Sequence, residues 1–484
     1  MRLRRALSLL PAVLLAACTT GPDYQRPAVE VPAAYRTNPV PDAPPPGDSE
    51  LLDTAWWQAF GDPELDALVT SAAQHNTDLK LAAPRIEQLA ATRQVVQSAG
   101  GPQAAYNAAR SRDTLSENRQ VPLAVGTRPV DNAYSASAGV TWELDLWGRV
   151  ARADEAALAE LVASEENRRA LMHSIVAEVA TAYVRLLTLD RELALLQQNI
   201  ASLEQSWKLA QSRFEAGGSS ELPVIAAKAE WQARQADVPP KQAEIALVEN
   251  AIATLAGRPP GSITRGRGAN QLVLPRVPGG LPADLLAQRP DVRKAEQELI
   301  AANARIGVAK AQYYPSISLT ASSGFASNEL SKLSQLTSNF GTFGVSLLGP
   351  LFTSGRIGAQ VKEAEAQQRQ AEVQFAKAMQ SAVREVEDAL VRHARYGEQR
   401  TLVATQLDTL REQERVARRR YELGVGLYSE VLLAERAVTA GEQLANGARR
   451  EQFDALVAVY KAMGGGWPLP DVTLSRSTPK KTTP

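Results

Sequence analysis

From Val179 the apolar positions run Val179, Ala182, Leu186, Leu189, Leu193, Leu196, Ile200, Leu203, Trp207, Ala210 and Phe214, in alternating steps of three and four over about five heptads. This is a coiled-coil seam. The stretch from Val150 to Phe214 contains neither Gly nor Pro, so the spacing predicts one continuous helix on the order of 100 Å long at roughly 1.5 Å per residue. A second seam, Val386, Ala389, His393, Tyr396, Arg400, Val403, Leu407, Leu410, Glu414, Ala417 and Tyr421, is wetter. Its polar members suit a wall facing water or another chain better than a dry two-helix core.

Elsewhere the period drops to two. Tyr134, Ala136, Ala138, Val140, Trp142, Leu144 and Leu146 fall on one face and Ser135, Ser137, Gly139, Thr141, Glu143 and Asp145 on the other, which predicts a strand with one apolar and one polar side. Ile317, Leu319 and Ala321 alternate in the same way with Ser316, Ser318, Thr320 and Ser322. Phe340 to Leu348 is a less regular strand and Gln103 to Asp113 a poorer one. No window beyond the amino terminus holds eighteen consecutive apolar residues, so no transmembrane helix is expected and a membrane would be crossed as β-barrel. Four strands do not close an aqueous barrel, because closed barrels begin near eight. Oligomerisation must supply the rest, and three chains would give about twelve strands.

The helices and strands recur. Asn76 to Pro102 aligns without a gap on Arg289 to Pro315, matching Asp78 to Asp291 and Lys80 to Arg293, and each copy reads as a helix stopped by proline. Gly139 to Arg149 parallels Gly344 to Arg356, a strand handing over to a helix. Arg213 to Glu230 lies over Arg420 to Ala437 with Gly217/Gly424, Val224/Val431 and Ala227/Ala434 in register. Three ordered pairs indicate an internal duplication. The breaks at Pro239-Pro240, Pro259-Pro260 and Pro278 to Pro290 mark helix ends.

Composition narrows the function. Lys+Arg and Asp+Glu balance at 53 each, so nothing draws the chain to nucleic acid. Three histidines and one cysteine, Cys18, build neither a clustered metal site nor a disulfide framework. No phosphate-binding loop, nucleophile elbow or zinc helix is present, so catalytic and metal-ligating residues are expected to be none and no cofactor is called for. Residues 1–17 combine Arg2, Arg4 and Arg5 with an apolar run too short to span a bilayer, an export signal. Leu15-Ala16-Ala17-Cys18 resembles a bacterial lipobox, in which the Cys18 thiol takes the lipid. Thr19, where Asp is the usual inner-membrane retention signal, points to the outer membrane. Acidic Glu143 and Asp145 near Trp142 and Trp147 invite a selectivity role, but a belt at a membrane interface or packing where strand meets helix is the stronger reading of these tryptophans.

Five strings in order, GPDYQRP from Gly21, WWQAFGDPELDALV from Trp56, WELDLWGR from Trp142, LPADLLAQRPDVRKAE from Leu281 and YKAMGGGW from Tyr460, resemble the NodT-type outer-membrane lipoproteins of the TolC family, the outer-membrane factors of resistance-nodulation-division (RND) and related efflux systems. The resemblance covers nearly the whole chain. It implies a mixed α and β membrane protein: a homotrimer with a twelve-stranded outer-membrane β-barrel, four strands per chain, and a long α-helical barrel in the periplasm. It implies a passive exit duct working with a periplasmic adaptor, or membrane fusion protein, and an inner-membrane RND-type pump. The two hairpins become periplasmic tips, with Arg213, Gly217, Ser220, Val224, Arg420, Gly424, Tyr428 and Val431 as adaptor contacts. Relatives often carry Asp immediately before the alanine of the second tip, where this chain has Leu433, so the gate would differ; Tyr428, Glu430 and Leu433 are the candidates.

In linear order the expected division begins with a signal peptide (1–17), a lipid-anchored segment (18–60), helices (61–100), two strands (101–147) and long helices with the first tip (148–257). An inter-repeat connection (258–288), helix (289–313), two strands (314–352), long helices with the second tip (353–463) and a tail (464–484) follow. The alternative is a periplasmic coiled-coil envelope lipoprotein that scaffolds without conducting, which would have no need of four alternating strands.

Overall fold

The computed structural model describes residues 19–29, 36, 55–114, 116, 130–275, 286 and 288–464; the leader, Cys18, part of the inter-repeat connection and the tail beyond 464 lie outside the described residues. The two halves repeat one order of elements. The first runs α1 (Pro63–His75), α2 (Thr77–Ser98), β1 (Gln103–Thr114), β2 (Val130–Leu144), α3 (Arg149–Glu215), α4 (Leu222–Ala236) and α5 (Val238–Leu255). The second runs α6 (Pro290–Ala311), β3 (Ser316–Ser327), β4 (Asn339–Leu348), α7 (Arg356–Glu422) and α8 (Tyr428–Ala462). Both α3 and α7 are 67 residues long, α7 despite Gly358 and Gly397 in its interior. Pro239 and Pro240 open α5 rather than break a helix, because the first turn has no intrahelical use for their missing N–H groups.

The chain forms two compact units, each drawn from separate stretches of sequence. One takes the residues up to Ala28, Pro84–Glu165 and Lys294–Ala376; the other takes Val29–Ala83, Glu166–Arg293 and the chain from Lys377.

The first unit holds an antiparallel sheet in the order β1-β2-β3-β4. Directly paired residues share a face, so the register shows how far the alternation extends. Ala104, Val140, Ala321 and Phe343 form one row across all four strands, and Trp142, Leu319 and Val345 form the next. Thr141 pairs with Thr320, Ser322 with Thr342 and Ser318 with Ser346 on the opposite face. Along this unit's helices lies a strap that begins at Thr19. Thr20 bonds the carbonyls of Trp147 (3.0 Å) and Gly307 (3.1 Å), Asn303 donates to Pro22 O (2.9 Å), and Tyr24 donates to Glu296 (3.1 Å). Arg152, almost buried, donates to Asp23 (2.6 Å) and Glu155 (2.7 Å).

In the second unit the seam holds. Every seam position named for α3 is buried or half-buried except Phe214, and every one on α7 is buried or half-buried. The polar members of the α7 seam are half-buried within the chain. Arg400 donates to Gln452 of α8 (2.8 Å), Glu414 pairs with Arg418 (3.0 Å), and burial holds the His393 ring below its ordinary pKa. Helix α3 includes one stretch long and apolar enough to cross a membrane by length and composition, but more than half of it is buried within the chain; the seam accounts for its apolarity.

Around this bundle the segment Trp56–Val69 forms a core. Trp56 stacks on Tyr460 (5.3 Å, 6°) and Phe60 packs on Phe453 (4.3 Å). Asp62 is fully buried: it caps α1 by accepting from Glu64 N (2.9 Å), and it also accepts from Tyr183 Oη (3.0 Å) and Arg267 N (2.8 Å). A carboxylate out of water is tolerated only when its lone pairs are filled in this way. Nearby in chemistry, Arg289 donates to Asp291 (2.7 Å), Glu385 (2.6 Å) and Ala462 O (2.7 Å). Replacing Asp62 by Ala removes the cap and orphans two donors, which is expected to cost about 3 kcal/mol; chemical denaturation of the purified chain measures it.

Candidate functional site

The two tips are built alike by backbone chemistry. At the end of α3, Gly217 N donates to Phe214 O (2.9 Å) and Gly218 N to Arg213 O (2.9 Å); at the end of α7, Gly424 N donates to Tyr421 O (3.0 Å) and Val425 N to Arg420 O (3.0 Å). This is the Schellman pattern, which satisfies the last carbonyls of a helix while reversing the chain. Gly217 (φ 71°) and Gly424 (φ 75°) sit at the left-handed position it requires, where a Cβ would be strained.

Side chains then distinguish the copies. The first hairpin is pinned by Trp207 stacked on Trp231 (5.2 Å, 10°), with Lys228 Nζ 5.7 Å from the Trp207 ring. The second carries Glu414 at the position matching Trp207 and Glu435 at that matching Lys228, and Arg418 pairs with both (3.0 and 2.7 Å). Glu435 is 5% exposed, and burial raises its pKa against the pull of Arg418. Between the hairpins, the Arg213 guanidinium lies 4.0 Å over the Tyr421 ring, and Tyr421 lies 5.3 Å from Tyr428. Burial raises the Tyr428 phenol, moderated by Ser206. Arg436 and Glu230 join α8 to α4 (2.5 Å).

Of the residues expected at the tips, Arg213, Tyr428 and the two glycine turns come together. Gly217, Ser220, Arg420 and Gly424 are exposed, whereas Val224 is half-buried and Val431 is buried at 3%, packing inward with Ala227 and Ala434. Glu430 and Leu433 are exposed on the first turns of α8. Sequence reasoning missed Tyr421 as a tip residue, although its alignment with Phe214 two residues from the glycine turn marks it. Cys18 lies outside the described residues.

In the first unit, Trp142 Nε1 donates to Gly100 O (2.8 Å), Trp147 Nε1 donates to Pro315 O (2.7 Å), and Trp147 stacks on Tyr314 (4.7 Å). Glu143 pairs with Arg149 (2.9 Å), and Asp145 accepts from Ala151 N (2.8 Å) in the first turn of α3. These four residues build the junction between strand and helix, and the acidic pair is engaged there. The apolar sheet face stays open: Phe343 is 73% exposed, Leu347 68% and Val345 62%.

The tip contacts are testable by a double-mutant cycle. Arg213→Ala and Tyr421→Leu are each expected to destabilise the second unit by about 0.5–1 kcal/mol, and the pair together by less than the sum, read from unfolding of the four proteins.

The chain matches the outer membrane efflux protein family model at residues 68–258 and again at 281–465, so the match is duplicated as the sequence is. It is 33% identical over 471 residues to the solvent efflux pump outer membrane protein SrpC of Pseudomonas putida, covering 96% of this chain and 98% of that protein. It is 30% identical over 466 residues to the cation efflux system protein CusC of Escherichia coli, covering 95% and 98%. Among solved structures it superposes on the outer-membrane channel OprN with a TM-score of 0.85 at 29% identity, covering 93% of this chain and 100% of that one. The family consists of channels rather than enzymes. The chain belongs to the outer membrane efflux protein family, with the fold and the outer-membrane location of an efflux channel.

Proposed function

We propose that three copies join their sheets edge to edge into a twelve-stranded barrel and form the passive exit duct of a tripartite efflux pump. A periplasmic adaptor, or membrane fusion protein, meets the hairpin tips, and an inner-membrane RND-type pump supplies the energy. The observation that carries this reading is the sheet itself. Among the described residues it has four strands with both outer edges unpaired, one continuous apolar face exposed and a Ser/Thr-rich face opposite. Such a sheet is stable in hydrocarbon only when closed, and closure by three copies puts the apolar face toward lipid and the polar face toward the lumen. The exposed positions Gly217, Ser220, Arg420 and Gly424, of which only Arg420 is charged, are the surface left for the adaptor. The lipid on Cys18 is the one covalent addition, anchoring the start of the strap at Thr19.

The relatives named for solvent and for cation efflux are about equally similar to this chain. A wide aqueous duct therefore passes what its pump delivers, and selection of cargo lies with the pump.

The mature chain purified in detergent is expected to have a trimer's mass and to conduct ions in planar bilayers, weakly until the tips are loosened by Tyr421→Leu. A monomer or dimer that never conducts, even with that change, would overturn the duct. For the anchor, Cys18→Ser is expected to abolish acyl labelling in cells; a variant that still takes up the labelled fatty acid would remove the lipid from the reading.

A further inference from the structure

Three helices of the second unit meet at a cavity of about 220 Å³ lined by Arg191 of α3, Arg400 and Arg411 of α7, and Glu442 and Arg449 of α8. Their spacing directs them there. Arg400 and Arg411 lie three turns apart on one face of α7, and Glu442 and Arg449 two turns apart on one face of α8. Ala404 and Ala445, small side chains on the same faces, leave the space between them.

Two of the lining arginines, Arg191 and Arg400, have no carboxylate partner among the described residues. The single carboxylate in the lining, Glu442, is taken by Arg411 (2.9 Å). Arg400 donates to the neutral amide of Gln452 (2.8 Å). Arg449 is held by the carbonyls of Ala269 (2.9 Å) and Leu272 (3.1 Å), and its pKa is lowered by burial and by the nearby Arg400. Arg191 makes no hydrogen bond or ion pair with any described residue. In the first copy of the duplication, the position of Arg400 is Leu193 on the same seam, so nothing about helix packing calls for a cation there. Gathering guanidinium groups in a half-buried pocket is unfavourable unless an anion neutralises them.

We propose that this pocket binds a small, doubly charged oxyanion of the phosphate class, received by the guanidinium groups of Arg191 and Arg400. Planar guanidinium forks match the oxygens of such an ion. At about 30 Å³ per water, the cavity has room for the ion and several waters. The bound ion ties α3 to α7 at a level where the α7 seam has lost its apolar residue. This site is independent of conduction.

The test is equilibrium dialysis of radiolabelled inorganic phosphate against the detergent-purified full chain, with ionic strength held constant by chloride, beside thermal melting over the same phosphate range. Expected are one saturable phosphate per chain and a melting temperature that rises with phosphate and not with chloride. Arg191→Gln breaks no bond with any described residue, so it should leave melting without phosphate unchanged while weakening binding about tenfold or more; Arg400→Gln should weaken it similarly. Absence of saturable binding, an equal effect of chloride, or undiminished binding by Arg191→Gln would each overturn the proposal. A pocket already filled by an acidic side chain of a second copy would give the first of these results.

Discussion

The unpaired edges of β1 and β4 are the constraint from which the rest follows. In hydrocarbon, each backbone N–H or C=O without a partner costs several kcal/mol, so a four-stranded sheet is not a membrane structure by itself. What the chain supplies instead is an even fraction of one. Each half contributes a hairpin, and the register places Gln103 opposite Thr141, Leu144 opposite Ile317 and Ser316 opposite Leu348. All four junctions between strand and helix therefore lie at one end of the sheet. Trp142 and Trp147 close this end by donating to the backbone of the neighbouring junctions, so these tryptophans pack where strand meets helix and hold the strands to the helices.

Duplication solved the architecture once and left the side chains free to diverge. Both tips reverse through the same pair of backbone hydrogen bonds around a left-handed glycine. The first is then held by a dry aromatic stack and the second by an arginine between two glutamates. Stacking is indifferent to ionic strength, whereas the ionic cluster is sensitive to salt and to the protonation of a buried glutamate. Two hairpins of one fold thus respond to different conditions, and Arg213 over Tyr421 links them.

The strings that carried the family resemblance are scaffold rather than site. GDPEL centres on Asp62, which caps one helix and bonds a second helix and a loop. The arginine of QRPD binds the carbonyl of Ala462 in YKAMG, so two strings far apart in sequence form one buried network. GPDYQRP is the strap, tied residue by residue to α3 and α6. In each a buried polar side chain, Asp62, Arg289 or Arg152, has its hydrogen bonds filled, an arrangement that few substitutions satisfy.

Periodicity alone determined the long helices, the four strands and the two-faced sheet, because a seam of threes and fours or a strict alternation expresses a local rule of chain geometry. It also determined the glycine turns, since the reversal depends on one backbone angle. It did not determine the partners of the α7 seam's polar residues: Arg400 and Glu414 read as facing water or another chain, and within the chain they bond Gln452 of α8 and the neighbouring Arg418. Nor did it reveal the hub at Asp62, the pairing of Arg213 with Tyr421, or the meeting of Arg191, Arg400 and Arg449. Those partners are separated by about fifty to more than two hundred residues, and no local pattern encodes which of many exposed-looking polar side chains will be brought together. Only the packing of helix against helix decided that, by removing water from some of them and not from others.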